Sequence, residues 1–146
     1  MSATPPAELA EVADVAARLR LACMRIARRI KYENPEALAP HLYSVLVHIE
    51  AGIATPGALA EAEKVAAPSM TRTVAALVEE GYVVRAPDPD DGRCVRLTLT
   101  PAALEVLAST RASRDAWMAR RVGELTAYEQ GVLREATAIL EALNAT

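Results

Sequence analysis

From Leu9 the apolar residues fall at Leu9, Val12, Ala16, Leu19, Cys23, Ile26 and Ile30, in steps of 3, 4, 3, 4, 3 and 4. That spacing predicts a helix with a continuous seam, about three heptads long. A second stripe, Ala13, Ala17, Leu21 and Met24, widens the seam and predicts cover on two sides. The other face carries Arg18, Arg25, Arg28 and Arg29, the pattern of a solvated surface. Asn34-Pro35 ends this element by pairing a capping residue with a helix-opening one. Pro40 then opens a helix with Leu42, Leu46 and Ile49 on one face, and Gly52 suits the position just past its end. Thr55-Pro56 predicts the start of a short helix reaching about Glu63, with Ala58, Leu59 and Ala62 turned inward.

After a brief connection the period of a helix returns. Met70, Val74, Leu77 and Val78 share one face, and Gly81 closes the element. Tyr82 to Arg85 and Val95 to Leu99 read as two strands, with Asp91-Gly92 as the turn signal between them. Thr100-Pro101 opens a long helix with Leu104, Leu107, Ala108, Trp117 and Met118 on or near one side. Thr126 and Glu129 have the spacing of a capping box. The last helix is expected to bury Val132, Leu133, Ala136, Ile139, Leu140 and Leu143.

A short helix, a tight connection and a second helix form a helix-turn-helix arrangement, and a hairpin directly after it is a wing. On the second helix Arg72 lies opposite the apolar face, flanked by Ser69 and Ala76, with Thr73 at the edge. Short side chains around one long cation let a helix approach base edges, and guanidinium and hydroxyl groups bond bases or phosphates. An ordinary amphipathic helix with one exposed arginine fits the same spacing. The hairpin tip carries Asp88, Asp90, Asp91, Gly92 and Arg93. Acids there would repel DNA, so their expected use is that Asp90 or Asp91 holds the Arg93 guanidinium for entry into a minor groove. The alternative is a solvated acidic turn.

Composition narrows these readings. In 146 residues with 52% apolar content a real core is possible, and 3% aromatics without Phe leave it to Leu, Val, Ile and Ala. A net charge of −3 excludes a general nucleic-acid coat but not a few placed basic groups. No apolar run is long enough to span a membrane, and the N-terminus lacks a signal-peptide pattern. Cys23 and Cys94 make no disulfide framework, so a soluble cytoplasmic protein is expected. The acidic tip lacks the glutamate that a calcium loop needs, and His41 and His48 have no partners spaced for a metal. No phosphate-cradling glycine loop is present, so no metal, no cofactor and no enzymatic activity are expected.

The run "TPGALAEAEKVAAPSMTRTVAALVEEGYVVRAPDPDDGRCVRLTLTPAA" resembles the winged helix-turn-helix of the MarR family of transcriptional regulators. The matching pieces are "TPGALAE", "PSMTRTVAALVEEGYV", "DPDDGR" and "VRLTLT". The resemblance implies a mainly α fold with a small two- to three-stranded β wing. Residues 37–100 would form the DNA-binding domain, and 1–36 with 101–146 a helical dimerisation region. It implies a homodimer on palindromic double-stranded operator DNA, usually a repressor and often responsive to a small anionic aromatic ligand. The family's DNA-reading positions fall on Ser69, Thr71, Arg72 and Thr73, with Arg93 at the wing. Where the family often has a Ser cap, this chain has Ala66 and Ala67. Ligands of the family often sit between the wing domain and the dimer helices, which makes Tyr43 and Arg85 candidates here; Arg85 paired with an acid is the alternative. Some relatives sense oxidants through a cysteine of the N-terminal helix, and Cys23 occupies such a helix beside Arg20 and Arg25. A helical adaptor that binds only protein is a reading from another class.

Overall fold

The computed structural model describes residues 6–33 and 38–145, so the expected stop at Asn34-Pro35 lies outside the described residues. The chain divides into two compact units, residues 1–36 and 37–146. The first unit holds one helix, α1 (Pro6–Tyr32). Its seam residues are exposed from Leu9, at 57%, to Ile26, at 44%, and Ile30 is half-buried.

In the second unit the order is α2 (Pro40–Glu50), α3 (Pro56–Glu63), α4 (Ala67–Glu79), β1 (Val83–Pro87), β2 (Val95–Leu99), α5 (Pro101–Gly123) and α6 (Ala127–Asn144). Threonines start three of these helices. The hydroxyls of Thr55, Thr100 and Thr126 accept from the amides of Ala58, Ala103 and Glu129. Proline follows the first two, and Glu129 returns a bond to the Thr126 amide to complete the capping box. Those bonds to Thr126 hold the Glu129 carboxyl below its usual range, so this cap is present at neutral pH and is lost as acid protonates it. Gly52 and Gly81 adopt φ of 99° and 81° just beyond α2 and α4, a region that only glycine enters without strain.

Within the second unit one core joins every element but α6. Val45 and Leu46 of α2, Leu59 of α3, Met70, Val74 and Leu77 of α4, Val83 and Leu97 of the strands, and Leu107 of α5 are essentially inaccessible. On α3 the inward residues are Leu59 and Ala60, whereas Ala58 and Ala62 are exposed. Eight residues of weakly patterned Ala leave the face undecided until Leu59 finds the core. On α5 the buried positions are Ala103, Leu107, Thr110 and Trp117, while Leu104 and Ala108 face outward. Of the apolar residues expected inside on α6, Ala136 is half-buried and the others are exposed within the chain, with Ile139 at 64% and Leu143 at 61%. Together the exposed ones form one apolar stripe along the helix.

The sheet has two antiparallel strands with Val83 opposite Leu99 and Pro87 opposite Val95. Among the described residues no third strand joins them; the Leu97 amide donates to Ala54 O at 2.7 Å. The hairpin base is tied to the end of α4, where Thr100 Oγ1 donates to Gly81 O at 2.6 Å.

Ala66 occupies the N-cap of α4 and makes no side-chain bond. Ala66→Ser is expected to add about 1 kcal/mol of stability. Scanning calorimetry would read this as a thermal midpoint higher by roughly 3 °C; an unchanged midpoint would mean that the new hydroxyl does not reach the helix amides.

Candidate functional site

The turn of the helix-turn-helix is Lys64 to Ala66. Lys64 takes a left-handed φ of 54° and its amide bonds back to Glu61 O. Most chains place glycine at such a corner, so the side chain gave no warning of it. On the other side α3 is bound to α2: His48 Nε2 lies 2.9 Å from Glu63 Oε1, and Ser44 donates to the same oxygen. His48 is therefore engaged in holding two helices together.

That framework presents the outer face of α4. Thr71 and Arg72 are exposed, and Ser69 and Thr73 are half-buried. Both threonine hydroxyls are committed: Thr71 donates to Ala67 O at 3.0 Å and Thr73 to Ser69 O at 3.1 Å. Each therefore offers a methyl group and an acceptor rather than a donor. A methyl suits thymine, and an acceptor suits the amino groups of adenine and cytosine. Arg72 is the one long donor on this face. At the helix start Pro68 has no N–H, and the amides of Ser69 and Met70 bond Ala66 O, so few amides remain for a phosphate.

The wing tip is built on aspartates acting locally. Asp88 Oδ1 accepts from the amides of Asp90 and Asp91 at 2.8 and 3.4 Å. Asp91 Oδ1 accepts from the Arg93 amide at 3.1 Å, and the Cys94 amide bonds Asp91 O at 3.0 Å. Gly92 does not need a positive φ in this turn. Among the described residues no ion pair joins the Arg93 guanidinium to Asp90 or Asp91. Asp91 holds the backbone of Arg93 instead, because a short carboxylate two residues away reaches an amide more easily than a guanidinium. Asp90 enters the turn through its own amide. The arginine that does pair with the wing acids is Arg96, 3.8 Å from Asp88 Oδ2, a contact the sequence did not single out.

Cys94 lies beside this turn. Asp91 and, less strongly, Asp88 push its thiol above the usual range by charge and by hydrogen bonding. Alkylation of Cys94 at mildly alkaline pH is expected to be slower than for an unperturbed thiol, and Asp91→Asn is expected to speed it. Mass spectrometry of iodoacetamide-treated protein checks this; equal rates in both proteins would contradict it.

The structure does not bring Tyr43 and Arg85 together. The Arg114 guanidinium of α5 covers the Tyr43 ring at 4.1 Å. Close by, Arg111 donates to both carboxylate oxygens of Glu50, one bond at 3.2 Å, and this holds the Glu50 carboxyl below its usual range. Arg85 instead lines a surface cavity of the wing together with Arg93. The two arginines of α5 were not visible as partners in the sequence, since 61 residues separate Arg111 from Glu50.

Comparison with known proteins fits this geometry. The MarR family model matches residues 40–95, from α2 to the first residue of β2. An HTH-type transcriptional regulator of Mycobacterium bovis is 38% identical over 133 residues, covering 90% of this chain and 93% of the relative. A putative transcriptional regulator of Pseudomonas aeruginosa superposes with a TM-score of 0.78 at 26% identity, over 98% of this chain and 99% of the other. A mutant of Staphylococcus aureus MepR bound to an oligodeoxyribonucleotide shares the fold, with a TM-score of 0.66 at 17% identity over 88% of this chain and 97% of the other.

Proposed function

This chain belongs to the MarR family of helix-turn-helix transcriptional regulators, which bind DNA, and on that premise we propose that it is a homodimeric repressor of a palindromic operator, released by a small anionic aromatic ligand. The observation that carries the reading is the outer face of α4, where Arg72 stands among Ser69, Thr71 and Thr73, next to a wing that offers Arg93. A base contact by Arg72 carries sequence information, and Arg93 reads the adjacent minor groove. MepR, a protein of the same fold, is bound to an oligonucleotide, which supports a DNA partner.

Residues 37–100 form the DNA-binding part in this reading, and 1–36 with 101–146 the dimerisation part. The uncovered apolar stripes of α1 and α6 support that division. Working on chromosomal DNA, the protein belongs in the cytoplasm; among the described residues no helix is long and apolar enough to cross a membrane. Tyr43 is the candidate ligand contact, because the Arg114 guanidinium over its ring suits an aromatic carboxylate.

The test is a gel shift with DNA from upstream of the chain's own gene, followed by a thermal-shift screen of small aromatic acids. Retarded DNA that an aromatic acid releases supports the reading; a protein that retards no such DNA would be a helical adaptor. Cys23 is exposed within the chain, which keeps an oxidant-sensing reading in view. Peroxide that releases DNA from the native protein but not from Cys23→Ser would put that reading in place of the ligand.

A further inference from the structure

Pro68, Thr71, Arg72 and Ala75 are exposed and, spaced i, i+3, i+4 and i+7, share one face of α4. α4 is the second helix of the helix-turn-helix, whose first turns lie against base edges in the major groove. A threonine in that place can meet a base through its hydroxyl or through its methyl group. The Thr71 hydroxyl already donates to Ala67 O at 3.0 Å, one turn back on its own helix. Its only polar hydrogen is used there, which leaves the Cγ2 methyl as the group that can pack on a base. Thr73 makes the same kind of bond, to Ser69 O at 3.1 Å, but it is half-buried at the edge of the face. A side chain held in one rotamer in this way also loses little freedom when DNA packs against it.

In the major groove thymine presents a methyl group on C5, and cytosine carries hydrogen on the same carbon. 5-Methylcytosine places the methyl of thymine on a pair that otherwise reads as C·G. We infer that Thr71 reads the C5 methyl of one pyrimidine in each half-site, so that affinity responds to cytosine methylation at that position. Arg72, the next residue, reads a neighbouring base through its guanidinium, and the two make the face sensitive to a methyl group beside a hydrogen-bond acceptor. Packing methyl on methyl removes apolar area from water, and one buried methyl group corresponds to about fourfold in affinity. This role of Thr71 rests on the DNA-binding reading above.

The test uses the full chain and a duplex enriched from a randomised pool by the native protein. Each thymine of the duplex is replaced in turn by deoxyuridine, which removes the C5 methyl alone. Affinity is titrated for native protein, Thr71→Val and Thr71→Ser. Thr71 is exposed and outside the core, so all three are expected to fold alike, with equal thermal midpoints. At one thymine of each half-site deoxyuridine is expected to weaken native binding about fourfold. Thr71→Val keeps the methyl and is expected to show the same loss. Thr71→Ser keeps the hydroxyl and is expected to bind the unmodified duplex about fourfold more weakly per half-site, with no further loss on deoxyuridine. With a C·G pair at that position, 5-methylcytosine is expected to be bound about fourfold better than cytosine by native protein and Thr71→Val, and equally by Thr71→Ser. Methyl discrimination that persists in Thr71→Ser would give the contact to another residue, such as Ala75, and overturn the inference. Weakened binding by Thr71→Val with native affinity in Thr71→Ser would show a hydroxyl contact and overturn it too, as would a duplex in which no thymine responds to deoxyuridine. A native protein that enriches no duplex would end the DNA reading itself, and this inference with it.

Discussion

In the homodimer proposed above, Ile139→Asp is expected to give monomers at micromolar concentration and to abolish operator binding with it. In the single chain Ile139 is 64% exposed, Leu143 61%, Val132 47%, Leu133 42% and Leu140 37%, at the spacing of one helical face. An exposed apolar stripe of that length supports the proposed interface. At a two-fold interface every substitution is present twice. Losing an isoleucine contact costs about 2 kcal/mol, and burying a carboxylate without a partner adds several more per site. The dimerisation constant should therefore fall by at least about three orders of magnitude. Because Ile139 contributes nothing to the core of its own chain, the variant is expected to keep its helical content and the packing around Leu46 and Leu77. That separation of assembly from folding is the informative part. Sedimentation of the native protein as a stable monomer at micromolar concentration would refute the prediction at its root, and a dimeric Ile139→Asp would move the interface elsewhere.

Arg72→Ala is expected to weaken operator binding by about 1–3 kcal/mol per half-site and to blur preference at one or two base positions. The loss should concentrate there because the hydroxyls of Thr71 and Thr73 are bound to their own helix, leaving Arg72 as the long donor on the face. Arg93→Ala is expected to weaken binding with another signature, strongest where flanking bases narrow the minor groove. Asp91→Ala separates two accounts of the wing. Simple electrostatics predicts tighter binding, since a charge that repels phosphates is gone. Loss of the 3.1 Å bond from Asp91 Oδ1 to the Arg93 amide predicts weaker binding, because Arg93 is no longer tethered. We expect the weaker outcome. Titrations of the three variants on one operator decide it: tighter binding by Asp91→Ala, with native affinity in Arg93→Ala, would reduce the wing to a solvated turn.

Much of the fold was legible because it is written in contacts spanning four residues or fewer. Thr55, Thr100 and Thr126 cap the helices they precede, and Gly52 and Gly81 take the positive φ that ends α2 and α4. The face of α4 followed from the spacing of Met70, Val74 and Leu77, and with it the outward position of Arg72. The resemblance to a family extended these readings to the wing, whose strands and tip stand in order after the helix.

The remainder needed the folded chain. That Ala60 rather than Ala58 or Ala62 turns inward with Leu59 on α3, and Ala103 rather than Leu104 with Leu107 on α5, is a choice between similar stripes that only the shared core makes. Lys64 adopts a left-handed corner because the packing of α3 on α4 demands it, not because its side chain favours it. Tyr43 meets Arg114 and Glu50 meets Arg111 across stretches of chain whose length carries no directional information. Arg85 could not be separated from Tyr43 or joined to Arg93 until the hairpin register assigned each side chain a face. The sequence by itself determined caps, turns, helix faces and the order of the elements, since local sterics and hydrogen bonds depend on near neighbours. Only the tertiary structure decided which distant charges meet and which stay unpaired, because that is set by how the elements pack into one core.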